Sequence, residues 1–435
     1  MLYYMTDVKI SKLLVILALL IRPTFPFKLE VGPGKTYLKP SLAATVAHNG
    51  DTVEIAPGIY EGDACTWSAN NLTLRASSAY AHLESKGVTV QGKGIWVIKG
   101  NNTLVENLEF SGASVADQNG AGIRQEGANL TIRHCFFHDN EDGILAGANA
   151  ASDILIEYTE FARNGFGDGY SHNMYINQVK SFTLRYCYSH HAKVGHNIKS
   201  RALKNTILCN RSLDGFDGTA SYELDLPNGG PTLIAGNVFQ QGPATENPAI
   251  LSYGAEGLIN PGSAVQIINN TFVNDHNKRG DNFILLGAGL TTARVMNNLF
   301  VGQGNPIRGK VFDSSNNLQT QSPGFFSQEA FDYRIIPTSP AVDKGKDPGL
   351  IDGLKVFPEN EFFPPDQVRL RVIRGKIDIG AFENDPLESL KAPRHGFVPR
   401  TPQLKNISEN GGVVFFSAVW VDGLGRLARG LGQSL

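Results

Sequence analysis

The stretch IINNTF (residues 267–272) is one copy of a short pattern that recurs along the chain. Every copy begins with an aliphatic residue, and most end on phenylalanine. The eight copies are VENLEF (105–110), IRHCFF (132–137), IEYTEF (156–161), LRYCYS (184–189), ILCNRS (207–212), IAGNVF (234–239), IINNTF (267–272) and VMNNLF (295–300). Short runs that are rich in β-branched and aromatic residues predict β-strands. Because successive copies start 23 to 33 residues apart, the chain is built from a repeating β unit.

A unit of this length with Gly, Asn and Asp turns is typical of a solenoid coil, whereas a propeller blade needs about 40 residues. The sequence therefore predicts an all-β protein, a single right-handed parallel β-helix whose coils stack about 4.8 Å apart. Equivalent positions then form ladders. Asn237, Asn270 and Asn298 share one repeat position and predict an asparagine ladder. Cys135 and Cys187 are two coils apart, too far for a disulfide, and are predicted to be buried thiols.

The N-terminus predicts export. Lys9 and Lys12 precede the apolar run LLVILALLI (residues 13–21), which is short for a membrane span. We therefore expect a signal peptide over residues 1–27, with an uncleaved anchor as the alternative, and a secreted or periplasmic location. A second long apolar run is missing from the sequence, so no membrane span is expected after signal removal.

The remainder divides into two parts. Residues 28–383 are predicted to form the β-helix, with a short amphipathic helix near residues 39–48 that caps its N-terminal end. Residues 384–435 lack the repeat and form a C-terminal tail of unknown structure.

The composition of the chain argues against two classes of protein. The net charge is −2, so the chain has no basic surplus of the kind that nucleic-acid binding needs. Four cysteines are too few for a disulfide scaffold at this length. We expect a monomer.

Three polar strands in the middle coils are the candidate site. They are HNMYIN (172–177), HNIKSR (196–201) and SYELDLP (221–227), and their spacing matches the repeat. Because successive strand residues face opposite ways, the alternation predicts outward rows of polar side chains. One row contains Asn173, Asn197 and Glu223, and the next contains Tyr175, Lys199 and Asp225 with Arg201 beside them. Arg124 is predicted to point outward a coil or two upstream, and Asn228 lies just after the third strand.

Residues 31–383 resemble the right-handed parallel β-helix proteins of the pectate-lyase-like superfamily. The stretch GYSHNMYIN…VGHNIKSRA…DGTASYELDLPNGG is similar to an exported bacterial subgroup. This fold hosts polysaccharide lyases, hydrolases, epimerases, esterases and adhesins, so the resemblance predicts the fold more sharply than the reaction.

An acidic polysaccharide needs its uronate carboxylate neutralised, a base that removes the proton α to it, and an acid for the departing oxygen. β-Helix lyases resembling chondroitinase B and certain alginate lyases place a lysine and an arginine beside calcium ligands. This resemblance implies a polysaccharide lyase that acts by β-elimination. It implies that Lys199 acts as the base and Arg201 as the acid or charge clamp, with Tyr175 or His196 as substitute proton carriers. The substrate ligands would be Arg124, Asn173, Asp225 and Asn228. Asn197 and Glu223 would be ligands of a Ca²⁺ ion.

Four alternatives stay open at this point. Lys199 and Arg201 could simply pair with Glu223 and Asp225 as salt bridges between coils. Glu223 and Asp225, about 6.8 Å apart along a strand, could form the carboxylate pair of an inverting glycoside hydrolase. A C5-epimerase would share the first step of the lyase reaction. A non-catalytic solenoid would bind carbohydrate without cutting it.

Overall fold

The computed structural model describes residues 26–351, 353–365 and 367–385 of the chain. These residues wind into three long parallel sheets of 12, 10 and 11 strands. The predicted single right-handed parallel β-helix is therefore confirmed. The predicted signal peptide (1–27) and tail (384–435) lie almost entirely outside the described residues. Among the helices that are described, none has the length and apolar character needed to cross a membrane.

Each coil contributes one strand to each sheet, and each strand pairs in parallel with its equivalent in the next coil. The first sheet contains Lys28–Val31, Thr52–Ile55, Thr73–Ala76, Thr103–Glu106, Leu130–Arg133, Asn149–Glu157, Val179–Arg185, Asn205–Leu208, Pro231–Ala235, Ala264–Ile268, Ala293–Met296 and Asp313–Ser315. The second sheet contains Cys65–Trp67, Gly94–Ile98, Ala121–Gln125, Asp142–Ala146, Met174–Ile176, Lys199–Ser200, Leu224–Leu226, Ala249–Tyr253, Asn282–Leu286 and Asn305–Arg308. The third sheet contains Gly58–Glu61, Ala81–Glu84, Leu108–Ser111, Phe136–His138, Glu160–Ala162, Tyr188–His190, Arg211–Leu213, Val238–Gln241, Thr271–Asn274, Leu299–Val301 and Leu318–Thr320.

The recurring sequence pattern marks the corner between the first and third sheets. Its third residue adopts a left-handed conformation, with φ values of 56° at Asn107, 50° at Asn269 and 57° at Asn297. Asparagine tolerates this region better than most residues do. One residue therefore turns the chain sharply, and the pattern repeats because every coil needs the same corner.

Stacked aromatic rings fill the interior. Phe110, Phe137 and Phe161 lie one above the other with centroids 5.0 and 5.1 Å apart. Each occupies the same place in successive coils, and all three are fully buried. The coil spacing thus sets the ring spacing, which falls in the favourable range for aromatic pairs.

The predicted asparagine ladder is confirmed and is longer than expected. The side-chain Nδ2 of Asn210 donates to Asn237 at 3.0 Å, and the same bond links Asn237 to Asn270 and Asn270 to Asn298 at 2.9 and 3.0 Å. Asn298 donates in turn to Asn317 at 3.0 Å. Because these amides are largely buried, the ladder satisfies polar groups at a corner that water does not reach.

The four cysteines, Cys65, Cys135, Cys187 and Cys209, are buried and free, as predicted for the pair at positions 135 and 187.

The two ends of the solenoid carry added segments. A short helix, Pro40–Ala44, lies near the N-terminal coils with Ala43 buried, and its capping role stays a prediction. After the last coil, three antiparallel hairpins form: Phe325–Ser327 with Asp332–Ile335, Leu350–Ile351 with Leu354–Lys355, and Asn360–Phe363 with Gln367–Leu370. Tyr333, Phe362 and Phe382 from this region pack in one buried cluster with Val238 and Val273 of the third sheet. The chain therefore folds back over the outside of the third sheet and leaves the second sheet as the separate polar face.

Candidate functional site

The outer face of the second sheet carries the predicted Tyr175–Lys199–Asp225 row. Strand pairing places Tyr175 opposite Lys199 and Lys199 opposite Asp225. Apolar neighbours such as Met174 and Leu224 point into the core, so the alternate residues face outward. The stacking of the row is thus confirmed, with about 4.8 Å between neighbouring positions, and its Asp225 member is buried.

Arg124 belongs to the same row. It pairs with Leu145, which pairs with Tyr175, so Arg124 lies two strands upstream as predicted. Its Nε atom is buried and has no hydrogen-bond partner among the described residues. The Arg124 side chain therefore retains a donor that protein groups do not satisfy.

Lys199 is the central cation of the row. Its Nζ lies 5.6 Å from the centre of the Tyr175 ring. Within the described part of the chain, Nζ makes no hydrogen bond and no ion pair shorter than 4.0 Å. Burial lowers the pKa of Lys199, and the nearby Asp225 carboxylate opposes this only in part. The amine therefore loses its proton more easily than an exposed lysine does.

Arg201 differs from Lys199 because its donors are occupied. Nη1 and Nη2 donate to the two carboxylate oxygens of Glu256 at 2.7 and 2.9 Å. Nη1 also donates to Asn228 Oδ1 at 2.9 Å, and Nε donates to the Tyr175 hydroxyl oxygen at 2.9 Å. The hydrogen bonds to Glu256 and then to Tyr175 outweigh burial and raise the pKa of Arg201. Arg201 therefore stays charged, and its N–H groups already donate to partners in the described residues.

The salt-bridge alternative expected Lys199 and Arg201 to pair with Glu223 and Asp225, and the described residues pair differently. Arg201 pairs with Glu256 rather than with Glu223 or Asp225, and Lys199 has no close acidic partner in the described residues. Sequence reasoning missed Glu256. It lies 28 residues after Asn228, so extending the repeat by one more coil could have found it.

The side chains of Asp225 and His196 lie close together. His196 Nε2 lies 3.5 Å from Asp225 Oδ2. Burial, with a smaller contribution from Lys199, lowers the pKa of His196 to about 3. Burial also raises the pKa of Asp225 to about 6 against the opposing charge of Lys199. At neutral pH this places a neutral imidazole beside a carboxylate, not a charged pair.

The two histidines that begin the polar strands have their rings in contact. The rings of His172 and His196 lie 4.6 Å apart, and the backbone N–H of His196 donates to His172 Nδ1 at 2.9 Å. Both are buried. His172 is therefore a hydrogen-bonded buried histidine, whereas Nδ1 of His196 is buried without a partner among the described residues.

The prediction that Asn173, Asn197 and Glu223 point outward is wrong. The three do form a ladder, in which Asn173 Nδ2 donates to Asn197 Oδ1 and Asn197 Nδ2 donates to Glu223 Oε2, both at 2.8 Å. However, all three are buried. The physical reason is that they lie at the corner between the third and second sheets, where strict alternation does not apply. There the amides bond from coil to coil and to groups such as the backbone oxygen of His190.

The burial of these three residues affects their predicted roles. Asn173 lies in the interior and not in the outer row, so it is not placed to contact a polymer there. Asn197 Oδ1 and Glu223 Oε2 already accept hydrogen bonds inside the protein. These residues do not fit a calcium ion beside Lys199.

Glu223 is part of a buried acidic pair with Asp214. Its Oε2 accepts hydrogen bonds from Asn197 Nδ2 and Ser212 Oγ. Burial outweighs these bonds and raises the pKa of Glu223 to about 8. Burial and the Glu223 charge also raise the pKa of Asp214. Because Glu223 lies inside and Asp225 lies in the outer row, the two carboxylates do not face one substrate as the hydrolase alternative requires.

Comparisons with known proteins agree with this architecture. Residues 57–218 match the family model described as "Right handed beta helix region". The solved structure of pectate lyase Pel9A is similar over 83% of this chain and 97% of its own, with 14% sequence identity and a TM-score of 0.58. An alginate lyase from Paenibacillus sp. str. FPU-7 aligns over 66% of this chain and 98% of its own, with 14% identity and a TM-score of 0.41. No curated protein matches the sequence. The chain therefore has a right-handed parallel β-helix fold, similar to that of the pectate lyase structure.

Proposed function

We propose that this protein is an exported polysaccharide lyase that cleaves an acidic, uronate-containing polymer by β-elimination. The observation that carries the proposal is the state of Lys199. It is a half-buried amine with a lowered pKa and no close acidic partner in the described residues, set in an outer row of polar side chains. The apolar run at residues 13–21 supports export. The fold similarity to a pectate lyase is consistent with this reaction class.

In the proposed reaction, Lys199 Nζ takes the proton on the carbon α to the uronate carboxylate. The electron pair of that C–H bond forms a carbon–carbon double bond as the glycosidic C–O bond breaks. The departing oxygen takes the phenolic proton of Tyr175. Tyr175 is the neighbour of Lys199 in the row, so both proton carriers meet the same sugar.

Arg201 is a positioning residue in this scheme. Its hydrogen bond to the Tyr175 oxygen stabilises the phenolate that forms when the proton leaves. Glu256 and Asn228 hold the guanidinium in place.

Arg124 supplies the second substrate contact. It is the cation at the upstream end of the row, about 10 Å from Tyr175 by two strand spacings. Its part-exposed guanidinium suits a carboxylate on a neighbouring sugar of the polymer.

A product screen tests this function. The purified full chain is incubated with alginate, pectate, glycosaminoglycans and bacterial exopolysaccharides, each with and without Ca²⁺. A lyase generates unsaturated uronates that absorb in the ultraviolet together with new reducing ends. New reducing ends without that chromophore would identify a hydrolase instead. Uronate inversion without chain cleavage would identify an epimerase, and binding without any product would identify a carbohydrate-binding solenoid.

A further inference from the structure

A second cluster of reactive side chains lies on the outer face of the third sheet, in the early coils. Strand pairing places His82 opposite Glu109, and His138 lies one strand further along, opposite Ser111. One ligand atom from each of His82, Glu109 and His138 lies within 4.8 Å of the other two. Sequence reasoning did not find this group, because each of the three strands contributes a single member.

The three residues converge on one carboxylate oxygen. His138 Nε2 lies 2.9 Å from Glu109 Oε1, and His82 Nδ1 lies 3.8 Å from the same oxygen. In a tetrahedral zinc site with bonds of about 2.0–2.1 Å, ligand atoms are about 3.3 Å apart. The two distances lie on either side of this value, so a small side-chain movement would seat an ion.

The opposite nitrogen of each ring is held by a hydrogen bond. His138 Nδ1 contacts Asp139 Oδ2 at 2.8 Å, and His82 Nε2 contacts Ser111 Oγ at 2.7 Å. Arg163 fixes Asp139 through contacts of 3.2 and 2.9 Å. Metal-binding histidines are typically oriented in this way, with the second nitrogen donating to an oxygen acceptor such as a carboxylate.

We propose that His82, Glu109 and His138 bind a divalent transition metal of the zinc class. Two imidazole nitrogens and one carboxylate oxygen are a donor set that zinc accepts, with a fourth position left for water. Calcium prefers oxygen ligands only and does not suit this set. The metal would tie together three consecutive coils.

This site is independent of the proposed lyase reaction, because it lies on the third sheet and the Lys199 row lies on the second. It also has a clear competing explanation. A protonated His138 between Glu109 and Asp139 would form an ion-paired bridge without any metal. The two explanations differ in whether the protein takes up zinc.

The experiment uses the full chain, purified without a polyhistidine tag and dialysed against EDTA. ZnCl₂ is then added, excess metal is removed, and bound zinc is measured by inductively coupled plasma mass spectrometry. We expect one zinc per chain, a higher melting temperature with zinc than with EDTA, and no such increase with CaCl₂. Replacement of zinc by Co²⁺ should give visible absorption bands typical of a nitrogen- and oxygen-bound ion.

His82→Gln and His138→Gln are the test variants, and His134→Gln is the matched control. The His134 ring stacks on Tyr158 at 4.9 Å, outside the cluster. We expect both test variants to lose at least about tenfold in zinc affinity, because loss of an outer partner of a ligand alone costs about that much, while the control binds like the parent. Far-ultraviolet circular dichroism verifies folding, and His82→Gln carries the test if His138→Gln does not fold. Equal zinc binding by His82→Gln and the parent would overturn the proposal, as would a parent protein that retains no zinc.

Discussion

Arg201 donates a hydrogen bond from Nε to the Tyr175 hydroxyl oxygen at 2.9 Å, while Glu256 binds the other end of the guanidinium at two points. The two residues belong to neighbouring coils, so the contact exists only when the coils are stacked. Lys199, which pairs with Tyr175 in the outer row, has no close acidic partner in the described residues. The two cations therefore differ in their properties. Arg201 is held in its charged form, whereas Lys199 is free to exchange a proton.

Lys199→Met should abolish the release of unsaturated oligosaccharides, because the methionine side chain is similar in length but cannot accept a proton. The free energy of unfolding should change by less than about 1 kcal/mol, since Lys199 makes no hydrogen bond to a described residue that would be lost. The measurements are ultraviolet product absorbance and urea denaturation. Lys180→Met is the control, because Lys180 is an exposed cation paired with Asp153 on the first sheet. Full activity in Lys199→Met would rule out the proposed base.

Tyr175→Phe should lower kcat by about 10²- to 10⁴-fold, the usual contribution of a general acid. The ring stays in place, so KM should change little. Steady-state kinetics on the best substrate of the screen separate the two parameters. Tyr170→Phe is the matched control, because Tyr170 is 86% exposed on a nearby loop. A change in KM alone would show that the hydroxyl group only binds substrate.

Glu223→Gln should alter how stability depends on pH. The pKa of Glu223 is raised from 4.5 to about 8 in the folded protein, chiefly by burial. Between these values the unfolded chain loses the proton and the folded chain keeps it. The folded state therefore binds more protons, and stability falls as pH rises through this window. Glutamine is never ionised and still accepts the hydrogen bonds from Asn197 and Ser212.

We therefore expect Glu223→Gln to be more stable than the parent at pH 8, with a smaller difference at pH 5. Urea denaturation at both pH values measures this. Glu246→Gln, at an exposed position, should follow the parent at both. An equal shift in stability at the two pH values would show that ionisation of Glu223 is not the cause.

Asn237→Ala should destabilise the fold without affecting the chemistry of the second sheet. Asn237 Oδ1 accepts from the backbone and side chain of Asn210, and its Nδ2 donates to Ile207 O and Asn270 Oδ1. Each buried group left without a partner costs about 1–3 kcal/mol, so the free energy of unfolding should fall by at least about 2 kcal/mol. Urea denaturation measures the loss.

Asn102→Gly is the control for that variant. Asn102 belongs to an exposed amide ladder with Asn71 and Asn129, and glycine tolerates its φ of 57°. Since water can replace the lost bonds there, the loss should be much smaller. Similar losses in both variants would contradict the importance of burial for the ladder.

The repeat in the sequence was sufficient to predict the solenoid, the stacking of Tyr175 on Lys199 and of Lys199 on Asp225, and the asparagine ladder. These features depend on the alternation of apolar and polar residues along a strand and on a repeat length close to one coil. Both can be read from a single sequence. The same reasoning failed at Asn173, Asn197 and Glu223. They precede inward-facing strand residues, and alternation places them outside, but the corner between two sheets places them inside.

The sequence by itself determined which residues are apolar, which turns recur and which positions stack. Only the tertiary structure decided which polar groups form hydrogen bonds or ion pairs with one another. Glu256 comes to Arg201 from 55 residues away, and His82 meets Glu109 and His138 across three coils. The physical reason is that a strand fixes the direction of a side chain, whereas its partners and its exposure to water depend on neighbouring coils and on segments that fold back over the sheets.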